Sequence, residues 1–193
     1  IFPLAPAVRC AAAAWQHPRG GWQAGCRRLQ EVVLIGIHLG CYGKELGEGR
    51  QARYLYDAVK AALSVEGVQR VRLGSLESVE VEPRMLQLMA EEPRLQRHLH
   101  LPLQSGCDKI LRAMHRPYDT KRFTELVNEI RAQVPDVAIT TDVIVASPAK
   151  PRKDFATTLE FAKKCGFAKM HIFPYSSARV RLLPKCQSRW TRL

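Results

Sequence analysis

Residues 98–118 read HLHLPLQSGCDKILRAMHRPY. In the opening HLHL, His98 and His100 stand two apart, so in a strand both side chains share one face. Pro-Leu-Gln-Ser-Gly then breaks the strand, and CDKILRAMHR (107–116) resumes as a helix. This is one strand–loop–helix unit with polar residues gathered at the strand end. Either those residues bind something there, or the strand is buried and its polar groups are satisfied by neighbours.

The same unit recurs on both sides. EVVLIGI (31–37), QRVRLGS (69–75), AITTDVIVA (138–146) and AKMHIFPY (168–175) read as strands. ARYLYDAVKAALSV (52–65) has helical spacing through Leu55, Val59, Ala62 and Leu63. EPRMLQLMAEE (82–92) is a helix with Pro83 in its first turn. KRFTELVNEIRAQV (121–134) carries a stripe of Phe123, Leu126, Val127 and Ile130 behind a cap at Asp119 or Thr120. RKDFATTLEFAKKCG (152–166) is a helix ended by Gly166.

Strands that alternate with helices and are apolar nearly throughout predict an α/β fold of about five parallel strands with helical crossovers. No Gly-rich phosphate fingerprint follows a strand, which favours part of a (β/α) barrel over a doubly wound sheet. Chemistry in a barrel lies at the C-terminal strand ends. Here these are 36–38, 74–77, 102–106, 146–150 and 174–176.

The domain reading is 31–175 for this repeat, with irregular segments at 1–30 and 176–193. The net charge is +12 from 30 basic and 18 acidic residues, and the two ends hold nine of those charges without one acid. The body is nearly neutral, so net charge does not argue for RNA binding. No apolar run reaches 18 residues and the first residues lack the pattern of a signal peptide, so the expectation is a cytoplasmic protein outside any membrane. The six cysteines (10, 26, 41, 107, 165 and 186) include no CxxC pair and no metal or iron–sulfur spacing. They read as scattered reduced thiols.

Four constellations are candidates for function. His98, His100, Asp142 and His171 lie on three strands that a barrel brings together, which suits a metal-dependent hydrolase; the alternative is unmetallated interior histidines. Gln104 and Ser105 offer polar groups at a barrel mouth, or Ser105 or Asp108 caps the next helix. Ser75 and Glu77 stand where a ribose would be bound, or Glu77 is a solvated acid. Lys109, Arg112, His115 and Arg116 at helical spacing make a small basic face, for phosphate or simply for water.

Taken together, EVVLIGIHLGCYGKELG, RVRLGSLESVEV, HLHLPLQSGCDKILRAMHRPY, VAITTDVIV and KMHIFPYS resemble, in this order, the radical S-adenosylmethionine methylthiotransferases that modify tRNA. The segment GIHLGCYG (36–43) is most similar to the branch acting on N6-threonylcarbamoyladenosine beside the anticodon. The resemblance covers about residues 30–177. It implies a radical SAM barrel, S-adenosylmethionine and [4Fe–4S] clusters as cofactors, tRNA as substrate, and an electron donor such as flavodoxin or ferredoxin. It implies transfer of a methylthio group to adenine. By position, Gly36, His38, Ser75, Glu77, Gln104, Ser105 and Asp142 fall in the expected cofactor pocket, and Lys109, Arg112 and Arg116 are the candidates for RNA contact.

The sequence departs from this family in four places. The cluster motif C-x3-C-x2-C is absent, and Ile1-Phe2-Pro3 resembles the stretch that follows its last ligand. Where relatives read close to GFPGET, this chain has Ala146-Ser147-Pro148-Ala149-Lys150-Pro151, and Cys107 replaces a serine. After Ser177 the basic ARVRLLPKCQSRW replaces a GT-x-AA segment. The expectation is a family fragment, inactive as this chain stands, whose irregular ends arise from a shifted reading frame. A metal-dependent hydrolase and a non-catalytic RNA-binding remnant are the alternatives.

Overall fold

The computed structural model describes residues 30–43, 54–145 and 152–174. Readings made on 1–29, 44–53, 146–151 and 175–193 lie outside the described residues, the two basic ends and the replaced GFPGET segment among them. The elements in chain order are β1 (Glu31–Leu34), α1 (Leu55–Leu63), β2 (Arg70–Leu73), α2 (Pro83–Glu91), β3 (His98–His100), α3 (Asp108–Ala113), α4 (Thr120–Gln133), β4 (Ala138–Val145), α5 (Arg152–Cys165) and β5 (Lys169–Pro174). Short 3-10 turns occupy Leu39–Cys41 and Ser78–Glu80.

Every strand pair is parallel. β1 pairs with β2 from Glu31↔Arg70 to Leu34↔Leu73, and β4 pairs with β3 and β5. Between β2 and β3 the ladder reduces to two isolated parallel bridges, Val71↔Leu95 and Ser75↔His100. The second segment carries one residue more than the first between those bridges, so the two stretches cannot stay in register. Spatial order thus follows chain order from β1 to β5. A doubly wound sheet reverses its order at a switch point, whereas a barrel continues around. The described strands form such a partial barrel wall.

Each helix forms for local reasons visible in its sequence. Asp57 accepts from the Tyr54 backbone N–H at 3.0 Å and closes the first turn of α1. Asp119 caps α4 by accepting from the Arg122 N–H at 2.8 Å. Phe123, Leu126, Val127 and Ile130 are buried on that helix, as their spacing predicts. Gly166 ends α5 with a φ of +58°, and its N–H bonds to Ala162 O at 3.2 Å.

The strands are not apolar throughout, and here the sequence expectation is corrected. One face of the sheet buries Val71, Leu73, Leu99, Leu101, Ile139 and Val143 in the core. The opposite face presents Arg72, His98, His100, Thr140, Asp142 and His171. Alternation at a period of two produces this division. Two expected elements are also shorter than predicted. β1 stops at Leu34, leaving Ile35 and Ile37 exposed. α3 stops at Ala113 because His115 adopts a φ of +53°. Arg116 therefore leaves the helix, and the basic face predicted for residues 109–116 is not a continuous helical face.

Candidate functional site

The polar face of β3, β4 and β5 carries a continuous chain of contacts. His98 Nε2 and His100 Nδ1 both approach Thr140 Oγ1, at 3.0 and 2.9 Å. His100 Nε2 lies 3.3 Å from Asp142 Oδ1, and His171 Nδ1 lies 3.1 Å from the same oxygen. A hydroxyl has one proton, so Thr140 donates to one ring and accepts from the other. One arrangement satisfies all four contacts with every ring neutral: His98 donates to Thr140, Thr140 donates to His100, and His100 and His171 donate to Asp142. Burial, then the charges of His100 and Arg72, hold the His98 imidazole below its usual range. Three of the four residues proposed as metal ligands thus converge, while His98 turns to Thr140 instead.

Backbone bonds tie this face to the neighbouring strand ends. Leu76 N–H donates to His100 O at 3.0 Å, which sets Ser75 beside His100. Gln104 sits above Asp142, donating its N–H to Asp142 O at 2.8 Å and accepting from Ile144 N–H at 3.0 Å. Its φ is +62°, a left-handed conformation that a glutamine adopts only when its surroundings impose it. The two backbone bonds impose it here. The Gln104 side-chain amide has no hydrogen-bond partner among the described residues.

Ser105 is placed differently. It is fully buried, and its hydroxyl lies 3.2 Å from Thr158 Oγ1 on α5 and accepts from the Cys107 N–H at 3.3 Å. Its role in this geometry is to join the turn to α5; neither it nor Asp108 caps the following helix, whose N-cap Cys107 has no side-chain cap bond. Asp108 likewise accepts from the Thr120 N–H at 2.8 Å, bracing α4.

Glu77 follows β2. Arg116 Nη1 holds Glu77 Oε1 at 2.9 Å, while Glu77 Oε2 is buried without a partner among the described residues. Ser78 Oγ is buried in the same condition. Glu80 links this segment to the loop after β1: its carboxylate accepts from the Glu77 N–H at 3.1 Å and from Cys41 Sγ at 3.2 Å, with His38 Nδ1 4.0 Å away. Gly40 packs directly on the Glu80 side chain, leaving no room for a Cβ. His38, Gly36 and Ser75 are exposed.

The proposed RNA contacts divide. Arg116 is committed to Glu77, and Lys109 Nζ lies 3.6 Å from Asp154 Oδ2, whereas Arg112 is exposed. Sequence reading missed Thr140, Glu80, Thr158 and Arg72. The first had a signal, since Thr140 stands two before Asp142 and therefore on its face.

A [4Fe–4S] cluster needs gathered cysteine thiolates. The described cysteines are Cys41 after β1, Cys107 before α3 and Cys165 at the end of α5, and no three of them gather. The described residues do not fit that cluster. Among the candidate residues, Glu77 keeps one carboxylate oxygen without a partner and the Gln104 amide is uncommitted among the described residues. No helix among the described residues is long and apolar enough to cross a membrane.

Comparison with known proteins gives a consistent picture. The profile of the Radical SAM superfamily matches residues 47–162. The Threonylcarbamoyladenosine tRNA methylthiotransferase MtaB of Bacillus subtilis is 34% identical over 147 residues, covering 76% of this chain and 32% of that protein. MtaB of Thermotoga maritima is 38% identical over 147 residues, covering 76% and 33%. The tRNA-2-methylthio-N(6)-dimethylallyladenosine synthase of Thermobifida fusca is 42% identical over 146 residues, covering 76% and 29%. The chain therefore spans about a third of the length of these relatives. A solved structure, coproporphyrinogen III oxidase (HemN) from Escherichia coli, aligns with a TM-score of 0.47 and 19% identity over 57% of this chain and 24% of its own.

Proposed function

Because the chain belongs to the radical SAM superfamily, we propose that it is the barrel portion of a tRNA methylthiotransferase that modifies N6-threonylcarbamoyladenosine beside the anticodon. One observation carries this reading: three-quarters of the chain aligns with tRNA methylthiotransferases. The choice of base rests on the GIHLGCYG segment and on similarity to the MtaB proteins. The match to the dimethylallyladenosine synthase names the competing base.

The cofactors of this superfamily are S-adenosylmethionine and a [4Fe–4S] cluster. When bound, S-adenosylmethionine supplies the methyl group and is the radical precursor. The chain's own residues bind and orient it. Glu77, paired with Arg116, offers its remaining oxygen to ribose hydroxyls or the ammonium group. Gln104 offers a donor and an acceptor at the same mouth, Gly36, His38 and Ser75 line its open side, and Asp142 forms its floor. Ser105 holds the turn against α5 from behind.

No step is assigned through the cluster, since the described residues do not fit one. On this reading the chain by itself binds S-adenosylmethionine without cleaving it. tRNA is the partner, the electron donor is of the flavodoxin or ferredoxin type, and the setting is the cytoplasm.

Two measurements test this. Calorimetry should detect S-adenosylmethionine binding to the purified chain, weakened at least about tenfold by Glu77→Gln, which removes a charge-assisted contact. Residues 31–174 grafted into B. subtilis MtaB should restore the 2-methylthio product of threonylcarbamoyladenosine in tRNA digests from a deletion strain. A product on dimethylallyladenosine instead would overturn the base assignment. Absence of cofactor binding would overturn the site.

A further inference from the structure

Beyond that cofactor, we propose that His100, Asp142 and His171 bind one divalent transition-metal ion of the zinc class. The topology sets up the site. Asp142 and His171 are register partners across β4 and β5, and His100 pairs with Thr140 two residues earlier on β4. All three therefore point to the same polar face of three adjacent strands.

The distances suit a small tetrahedral ion. Ligand atoms at about 2.0–2.1 Å from a tetrahedral centre are separated by about 3.3 Å. His100 Nε2 and His171 Nδ1 lie 3.3 and 3.1 Å from Asp142 Oδ1, and the three ligand atoms fall within 4.8 Å of one another. Both histidines aim at the same carboxylate oxygen, so one ion displaces two ring protons and takes the place of two hydrogen bonds. Asp142 keeps its second oxygen for other contacts. Two imidazoles and a carboxylate favour zinc, cobalt or nickel over magnesium or calcium. Three protein ligands leave a coordination position open, and the half-exposed His171 gives the ion an entry path.

Thr140 completes the design. In the metal-free network its proton points to His100 Nδ1. With His100 Nε2 on the ion, Nδ1 carries the proton and donates to Thr140 Oγ1, and the hydroxyl turns its own proton to His98 Nε2. His98 then carries its proton on Nδ1 and stays neutral. The hydroxyl orients the ligand as an outer-shell partner does.

The metal-free chain would be titrated with Co2+ and followed by visible absorbance. The expected result is one equivalent of Co2+ showing tetrahedral d–d bands, displaced by Zn2+. Thr140→Val should weaken binding by about 10–100-fold, as loss of an outer-shell partner does, and His171→Ala should weaken it further. His171 is exposed, so its variant is expected to fold, and circular dichroism verifies this. Absence of the d–d bands, a thiolate charge-transfer band in their place, or unchanged affinity in folded His171→Ala would each overturn the proposal. S-adenosylmethionine binding is a separate readout, so failure of either site is recognised independently.

Discussion

His98 shows how one residue's environment becomes a property of the protein. Its imidazole is half-buried and held below its usual range by desolvation first, then by His100 and Arg72. The folded protein therefore binds this proton less readily than the unfolded chain does. Stability from this group is fully present above the unfolded value, near pH 6.5, and is lost as pH falls through the lower folded value. Urea unfolding midpoints should drop between about pH 7 and pH 5, the range spanning the histidine reference value, and His98→Gln should flatten that drop. An equally steep decline in the variant would move the effect to other groups. At this scale the sequence was informative where side-chain parity decides the answer. His98 and His100 shared a face on spacing alone, and barrel topology brought Asp142 and His171 to it. Ser105 was not legible as a packing residue, because a hydroxyl beside a strand end reads the same whether it meets a ligand or Thr158. Arg116 read as part of a basic helix until the left-handed turn at His115 sent it to Glu77.

The helices and strands were largely legible, since apolar spacing and capping residues are local signals. The stripe on α4, the Asp119 cap and the Gly166 stop all depend on neighbours within a few residues. What depended on distant partners was not legible. β1 ends at Leu34 because its partner stops at Leu73 and Gly74 N–H makes the last bond, to Leu34 O at 2.7 Å. The seating of α5 is another such case. Thr158 accepts from the Gly106 N–H at 3.3 Å, and Phe161 packs on the Gly106 Cα. A Cβ at position 106 would stand 2.7 Å from Phe161 Cβ and 2.9 Å from its ring. Because the ring is held by Phe123 at a centroid distance of 6.4 Å, α5 itself must shift. Gly106→Ala is expected to cost about 1–3 kcal/mol, the range for overpacking, in chemical denaturation. A change under about 0.5 kcal/mol, the scale of a neutral surface substitution, would show that α5 is loosely seated.

The whole molecule combines an in-order parallel wall with two edges left open among the described residues. The wall was legible because sequential β/α units leave few topologies to consider; its weak seam between β2 and β3 was not, since it arises from one residue of mismatch. Burial changes abruptly toward β5. Val143 on β4 is buried, while its register partner Ile172 is 61% exposed and Phe173 is 50% exposed. Helix α5 buries Thr158, Ala162 and Cys165, whereas Met170, Ile172 and Phe173 of β5 stay exposed. An apolar edge strand with unpaired backbone groups is a template for pairing with another chain. The chain should therefore self-associate as its concentration rises in sedimentation experiments. Ile172→Lys places a charge on that edge and should shift the distribution toward monomer. Its melting temperature should stay nearly unchanged, because an exposed side chain contributes little packing. If the wild-type chain stays monomeric at every concentration, the edge is covered by other parts of the protein. If it associates and Ile172→Lys associates equally, contact is made elsewhere, with the exposed Ile35 and Ile37 after β1 as the next surface to charge.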